Sequence, residues 1–505
     1  MLAVKTLVSW VVPDLALTLS VTVVLILFFG CDGATALFND SDTGWHIRAG
    51  EQIIETGVLP KADPFSFSKP GEAWIAWEWG SDVLMSHIHG FGGLAGVALM
   101  FGLTIGVSVW MWFRLHQAAG GNFLLACLFF VPVLPIMSLH WLARPHLFSW
   151  LFLAGTVWMC EKMPKRPGWA YFAFAAALAA TWTNLHASFF FGPLIALIYA
   201  VGEYLKPLLW AVPESKAPQG RQYISLALAA AAGTFANPHG WRLHQHVLSY
   251  LFDTALTDHI SEFQSFNFHE DGALRIMLML ALCFAGAMAS LADRRPERFL
   301  LAMLLMALAL HSERALPVAA LLLLPLANGS ITAVLRRAAG LTASVRSGID
   351  HLLGYGDRLR ALEHNFRGFA LVPLLAILIF SIIRGRAGFS AERFPVAASI
   401  ALARLPPSAR IFAPDTFGGY LIYRFNGERK VFVDGRSDFY GAEFGTRYAR
   451  ILEVQPGWQA VFNRWNFTNA LLPPDYPLLA ALKEAGWKEL YRDGTAVLMA
   501  GKSPL

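Results

Sequence analysis

Asn39-Asp40-Ser41-Asp42-Thr43-Gly44-Trp45-His46-Ile47-Arg48-Ala49-Gly50-Glu51 is the stretch on which the fold turns. It breaks off from the apolar run Ser9 to Gly30, which has the roughly 20-residue length needed to cross the hydrocarbon core of a bilayer. Ile47, Ile53 and Ile54 recur with charges between them, so Trp45 to Glu55 reads as a short amphipathic helix lying in the membrane interface. That places Asp42 at the mouth of the bundle built by the remaining apolar runs. The loop continues through Asp63-Pro64-Phe65-Ser66 and ends in Trp77-Glu78-Trp79.

Beyond this loop, apolar runs recur at Phe91 to Phe113, Asn122 to Trp141, Leu147 to Cys160, Trp169 to Thr183 and Ser188 to Leu205. They continue at Tyr223 to Ala236, Ala273 to Leu291, Phe299 to Leu310, Leu316 to Leu335 and Phe369 to Ile383. With the first run they predict about eleven transmembrane helices, the shorter ones tilted or re-entrant. The chain is 56% hydrophobic and 15% charged, whereas a soluble chain carries about 25% charged residues. Its net charge of +5 is no nucleic-acid signature, because the basic residues sit in short loops and not along one face. Cys31, Cys127, Cys160 and Cys283 lie in or beside apolar runs without a CxxC spacing, so they indicate neither a zinc site nor a disulfide framework. Phe28-Phe29-Gly30-Cys31 ends the first helix and is not read as a lipoprotein cleavage site, since the apolar stretch before it is too long for a signal.

Short cytoplasmic loops are enriched in Lys and Arg. Alternate connections here carry Arg114, then Lys162, Lys165 and Arg166, then Lys206, Lys216 and Arg221, then Arg294, Arg295 and Arg298, then Arg336, Arg337, Arg346, Arg358 and Arg360. With Lys5 also inside, the first loop and everything after Ile383 fall on the non-cytoplasmic side, although Arg384 and Arg386 count against that placement. From about Phe389 the pattern turns soluble, with strand-like runs at Ile411 to Ala413, Lys430 to Val433, Ala470 to Leu472 and Ala496 to Met499, and a helical stretch from Pro477 to Ala485. The expected fold class is mainly α: a polytopic helical bundle over residues 1–385, with a first loop at 31–90, then a small soluble α/β domain over 386–505. The expected location is a bacterial cytoplasmic membrane with that domain in the periplasm.

The unusual polar residues gather on the outer side. Besides Asp42, His46, Arg48 and Glu78, the outer turns supply Arg144-Pro145-His146, Asn184-Leu185-His186, Asn237-Pro238-His239, Glu262 and Arg314. Each is a donor or titratable group at a helix end, where burial without a partner would cost a few kcal/mol. Convergence on one polar ligand would account for the set. The plain alternative is that any membrane protein carries polar outer turns. In the soluble part, Asp434 and Arg436 follow a predicted strand, where open α/β sheets display ligand groups. A local Arg to Asp pair holding an Asp-Gly turn is the simpler account of them. The spaced histidine pairs His87 with His89 and His244 with His246 lack a Cys or Asp at zinc spacing, and no metal-ligand set is assigned.

A long first outer loop with an early acidic residue, a juxtamembrane amphipathic helix, polar outer turns and a C-terminal soluble domain resemble the GT-C superfamily of membrane glycosyltransferases. A closer likeness, to bacterial multi-pass proteins of that layout without assigned substrates, is carried by Asp42 to Glu51, Asn237-Pro238-His239-Gly240-Trp241 and Val433-Asp434-Gly435-Arg436. The resemblance implies transfer of a sugar from a polyprenyl-phosphate donor to a glycan, lipid or protein acceptor among membrane lipids, with no nucleic acid involved. It implies that Asp42 is the catalytic carboxylate toward the acceptor, with Glu78 as the second. Arg144 and Arg314 suit the departing phosphate, because a guanidinium can fork two oxygens, with His146 or His186 as a further donor. No cofactor is assigned beyond that donor, and a divalent ion is left open. The chain lacks a directly adjacent acidic pair in the first loop and the tryptophan-rich acceptor motif of oligosaccharyltransferases. The rival readings are a transporter or lipid-handling protein, and a non-catalytic GT-C-like assembly factor.

Overall fold

The computed structural model describes residues 10–30, 32–210, 219–258, 260–363 and 366–501. Lys5, Cys31 and Lys216, which entered the reading above, lie outside them. Every apolar run read as a span contains a helix. In chain order these are Leu15–Phe29, Trp79–Ala118, Phe123–Met137, His146–Glu161, Trp169–Leu185 and Phe191–Trp210. Gly220–Gly233, Ala273–Ala292, Pro296–His311, Leu316–Arg337 and Leu371–Ile383 complete the series. Five helices among the described residues are long and apolar enough to cross a membrane. The molecule is a multi-pass membrane protein. One apolar core runs through the bundle, centred on Leu316–Arg337, whose Leu321, Leu322 and Leu324 are fully buried. Such all-round burial is what a helix hydrophobic on every face requires.

The connections collect in two groups at opposite ends. In one, Arg298 and Arg295 ion-pair with Glu161, whose carboxylate also accepts a hydrogen bond from Tyr199 at 2.7 Å. These arginines, read as loop charges marking orientation, are thus partly consumed in holding three helices together. The other end carries the first loop and the C-terminal region.

Helix Trp79–Ala118 is broken at Gly93, whose φ of 59° and ψ of −156° lie outside the helical region. Only glycine takes that conformation cheaply. The break lets the segment before it lean across the end of the bundle, where it meets the first-loop helix Asp42–Thr56. That helix does not lie freely in the interface as its periodicity suggested. A Cβ on Gly50 would stand 1.9 Å from the carbonyl oxygen of Asp82, and one on Gly44 would stand 2.2 Å from that of Gly419. Two glycines therefore let protein backbone close in on the helix from both sides, against Trp79–Ala118 and against helix Asp415–Arg424.

The C-terminal sheet has four strands in the order β1-β2-β4-β3: β1 Ile411–Phe412, β2 Asn469–Leu472, β3 Lys488–Arg492 and β4 Val497–Ala500. β1 pairs parallel with β2, and β4 pairs antiparallel with β2 and β3. The two central strands are buried, while β3 exposes most of its side chains, which hid it from a search for apolar runs. Lys430 to Val433 is no sheet strand. Val431 bonds instead to the first loop, donating its N–H to Phe65 and accepting from Phe67, both at 3.0 Å. Trp45, Phe65 and Trp74 of that loop enter the same apolar core as Phe412, Phe432 and Leu498.

Candidate active site

Asp42 opens the first-loop helix, where the N-terminal dipole favours a carboxylate. It is 5% exposed. Its Oδ1 accepts the indole N–H of Trp45 at 3.0 Å, one helical turn on, and its Oδ2 lies 3.1 Å from Nη2 of Arg144. Arg144 stands in the turn just before helix His146–Glu161. Its Nη1 donates to Asp40 at 2.5 Å and to Glu262 at 2.8 Å. One guanidinium thus gathers three carboxylates from two distant loops, using the planar fork that a lysine lacks. The far oxygen of Glu262 lies 3.4 Å from Arg314, whose guanidinium sits over the Phe263 ring at 5.7 Å.

Burial and the neighbouring Asp40 charge push Asp42 up to about 8, against the pull of Arg144 and Trp45. Burial would also raise Glu262, but Arg144 and Arg314 outweigh it and hold that carboxyl well below its ordinary value. Arg144, disfavoured by burial, is kept firmly charged by Asp40, Glu262 and Asp42.

Glu78 forms the second focus. Its two oxygens face two imidazoles, His46 Nε2 at 3.7 Å and His186 Nε2 at 3.5 Å. Both separations exceed a direct hydrogen bond. Behind them, His46 Nδ1 meets Asp82 at 2.6 Å, and His186 Nδ1 meets Ser149 and Ser188, each at 2.8 Å. Burial lifts Glu78 to about 7, moderated by the positive fields of Arg144 and Arg314. Burial, together with those same arginines, drives the His186 imidazole well below its usual range, and His46 is depressed by burial and by Arg144. Both are neutral at pH 7, each with one nitrogen to donate and one to accept.

The other residues singled out in the sequence are placed as follows. His146 donates to or accepts nothing at this centre, its Nε2 bonding the carbonyl of His140 at 2.9 Å, but it lies within the field of Arg144. Arg48 turns away, bonding the carbonyl of Tyr423 at 2.9 and 3.1 Å and pairing with Glu51. Asn184 accepts from the Trp79 indole at 2.8 Å and donates to the carbonyl of Ala236 at 2.8 Å, tying two turns together. Asn237 closes its own turn, accepting from the backbone N–H of His239 at 2.9 Å and donating to Thr234 and Gly240. Asp434 and Arg436 bind each other at 2.7 and 2.8 Å, with Asp63 as the guanidinium's other partner at 2.8 Å and Trp74 beneath it at 4.7 Å. They form a buried staple between the C-terminal region and the first loop. Gly435 between them is pressed against Asp42: a Cβ there would stand 1.9 Å from its Oδ1.

Two residues of the cluster were not picked out, Asp40 and Asp82. Each had a local signal, Asp40 lying two residues before Asp42 and Asp82 one helical turn after Glu78. Asp40 and Glu262 also line a cavity of about 780 Å³ between the bundle and the C-terminal region. Among the described residues no set of three or more His, Cys, Asp or Glu is disposed to hold a metal ion. The carboxylates of the cluster are turned onto Arg144 instead.

No family model and no curated protein matches the sequence. Solved structures do match. The oligosaccharyltransferase of Archaeoglobus fulgidus superposes in its apo form with a TM-score of 0.51 at 12% identity, over 90% of this chain and 69% of that one. Its complex with an inhibitory peptide and a dolichol-phosphate gives 0.52 at 12% identity, over 91% and 69%. Its complex with zinc and sulfate gives 0.50 at 13% identity, over 91% and 68%. The chain shares the fold of this oligosaccharyltransferase, a GT-C-like fold. On this frame the Arg144 cluster and Glu78 stand where the bundle, the first loop and the C-terminal sheet region meet.

Proposed function

We propose that this chain is a membrane glycosyltransferase that moves a sugar from a polyprenyl-phosphate donor to an acceptor on the outer face of a cytoplasmic membrane. In this reading residues 1–385 form the bundle of about eleven spans, and residues 386–505 form a periplasmic domain that closes over the site. The observation that carries it is the Arg144 cluster, in which Asp42 is held buried, oriented and raised in basicity beside a cavity large enough for a substrate. The GT-C fold is consistent with it, and the dolichol-phosphate bound by the archaeal relative suggests the donor class.

The reaction is a direct displacement. The acceptor hydroxyl oxygen bonds to the anomeric carbon as the carbon–oxygen bond to phosphate breaks, and the bonding pair departs with the polyprenyl phosphate. The hydroxyl proton passes to Asp42, a stronger base than an exposed carboxylate because burial disfavours its charge. Arg144 is committed to three carboxylates, so the guanidinium that faces the leaving phosphate is Arg314, which has a single ion-pair partner among the described residues. Glu78, between two neutral imidazoles, supplies a second proton-holding group at the same end.

Purified full-length protein in detergent, given radiolabelled polyprenyl-phosphate monosaccharides and a membrane glycan extract, should release polyprenyl phosphate and label the extract. Asp42→Asn should lower that rate about 10²-fold or more while inserting normally. A wild-type chain that neither binds nor turns over these donors rules the reading out.

A further inference from the structure

Helix Ala343–Glu363 does not run along the bundle but lies across its end, and three contacts fix its course. Near its start the Arg346 guanidinium donates to the carbonyls of Ala338 and Arg336, at 3.0 and 3.2 Å, where helix Leu316–Arg337 closes. At its middle Asn122, which caps helix Phe123–Met137, donates to the carbonyl of Leu353 at 3.0 Å, and a Cβ on Gly356 would stand 2.4 Å from the Asn122 side chain. At its last residue the Glu363 carboxylate accepts the Leu15 N–H at 3.0 Å, where helix Leu15–Phe29 begins. From Arg346 to Glu363 the helix covers about 26 Å at 1.5 Å per residue, so one side of it, with Leu353 and Gly356 buried, is seated on the ends of three spans. The far ends of those same spans lead to Arg314, to His140 and to the first loop, which puts helix Ala343–Glu363 opposite the Asp42 site.

Its remaining surface is divided. Val345, Leu352, Tyr355 and Leu362 follow one another at steps of seven, three and seven residues, which at the helical period keeps them on one flank. All four are exposed, Leu362 by 66%. Ser347, Asp350 and Ala361 are exposed on the other flank. The carboxylates of the helix are engaged, Asp350 with Arg346 and Asp357 with Arg336, each at 2.9 Å, and Glu363 with Leu15. The guanidiniums of Arg358, Arg360 and Arg367 have no carboxylate partner among the described residues, and that of Arg358 stands 5.8 Å from the Tyr355 ring. The exposed apolar surface resumes at Trp10, Val12 and Phe369, where Arg367 and Ala370 donate their backbone N–H groups to Val12 and Trp10, both at 3.2 Å.

We propose that helix Ala343–Glu363 binds anionic phospholipid in the leaflet opposite the Asp42 site, its apolar flank among the acyl chains and Arg358, Arg360 and Arg367 on the headgroup phosphates. A bilayer meets the rim of this multi-pass bundle at the level of its helix ends. A helix with one side seated on protein, one apolar flank and one polar flank has the pattern of an interfacial helix. The charge left over on it is all positive, and a guanidinium can fork two phosphate oxygens, so a net negative headgroup is its complement. A zwitterionic headgroup carries its own cation beside the phosphate and gains less. A second copy of the chain would bring three more unpaired guanidiniums to the same contact. The inference is independent of the chemistry proposed at Asp42.

The test uses the full chain with a nitroxide on one introduced cysteine at a time, labelled wild type serving as the blank. In nanodiscs of phosphatidylcholine with phosphatidylglycerol, labels on Leu352→Cys and Leu362→Cys should collide with dissolved oxygen several-fold more than with a water-soluble nickel chelate. Labels on Ser347→Cys and Ala361→Cys should show the reverse. In detergent, phosphatidylglycerol titrated onto the chain and followed by native mass spectrometry should bind about tenfold more weakly to the double variant Arg358→Gln with Arg360→Gln. Phosphatidylcholine binding and the melting temperature should not change, since neither guanidinium has a carboxylate partner among the described residues. Arg358→Lys with Arg360→Lys keeps the charge and should retain most of the binding. The proposal is overturned if all four labels meet the nickel chelate equally, or if labels on Leu352→Cys broaden one another through a second copy. It is equally overturned if wild type binds the two lipids alike, or if the double glutamine variant binds phosphatidylglycerol as wild type does.

Discussion

Replacing Gly435 by alanine tests the contact on which the site depends. The new Cβ would stand 1.9 Å from Oδ1 of Asp42 and 2.8 Å from its Cγ, where ordinary contact begins near 3.4 Å. About 1.5 Å must therefore be found by moving either the Asp42 carboxylate or the 434–436 turn. The turn is pinned by the Arg436 pairs with Asp434 and Asp63, and Asp42 is pinned by Arg144 and Trp45, so neither yields freely. Overpacking of this kind costs about 1–3 kcal/mol, which a folded chain survives. A misplacement near 1 Å at a reacting group costs about 10²-fold in rate. Gly435→Ala should thus fold with a modestly lowered melting temperature and lose about two orders of magnitude in sugar transfer. The control is Gly445→Ala, in helix Ser437–Leu452 with no atom near its added Cβ, which should gain up to about 1 kcal/mol and keep full activity. Thermal unfolding in detergent and release of labelled polyprenyl phosphate read both quantities. If Gly435→Ala matches wild type in both, the turn does not press on Asp42. If only stability falls, Asp42 is not where the chemistry happens.

Arg144→Lys should destabilise the protein by about 1–3 kcal/mol, because one ammonium cannot keep all the charged hydrogen bonds that the guanidinium makes to Asp40, Asp42 and Glu262; unfolding in graded denaturant checks it, and no loss of stability would contradict the bridging role. Transfer should rise with pH up to about 8 and then level off, since Asp42 acts only after losing its proton, and Asp42→Asn should abolish that limb; a rate flat from pH 6 to 9 tells against Asp42 as base. The same raised carboxyl favours the protonated folded state, so its contribution to stability is full below the ordinary aspartate range near 3.8 and is lost as pH climbs through about 8. Gly44→Val should loosen helix Asp42–Thr56 from helix Asp415–Arg424, where even a Cβ would meet the Gly419 carbonyl at 2.2 Å, and faster proteolysis of the C-terminal region would report it.

Hydropathy is a local property, and each apolar run is a helix in the structure because about 20 such residues have no better way to satisfy their backbone. The alternation of basic and mixed connections likewise put Asp42, Arg144, Glu262 and Arg314 at one end, where they touch. What stayed illegible depends on partners remote in sequence. The local pair of Arg436 with Asp434 was open to the sequence, but its second partner Asp63 was not, nor was the commitment of Asn184 to Trp79 and Ala236. Lys430 to Val433 has the composition of a strand, yet Val431 finds its partners at Phe65 and Phe67. Helix Asp42–Thr56 has the alternation of an interfacial helix, but Gly44 and Gly50 admit protein on both flanks.

The shared core of Trp45, Phe65 and Trp74 with Phe412, Phe432 and Leu498 bears on biogenesis. A ribosome emits the first loop long before the strands that cover it, so Trp45, Phe65 and Trp74 wait uncovered until the last hundred or so residues have been made. A nascent or prematurely terminated chain therefore lacks the turn at Gly435 that presses on Asp42, and the enclosure of that carboxylate is completed only late in synthesis. Expressed by itself, the carboxy-terminal part would bare the aromatic floor that the distant loop normally fills, and would tend to clump.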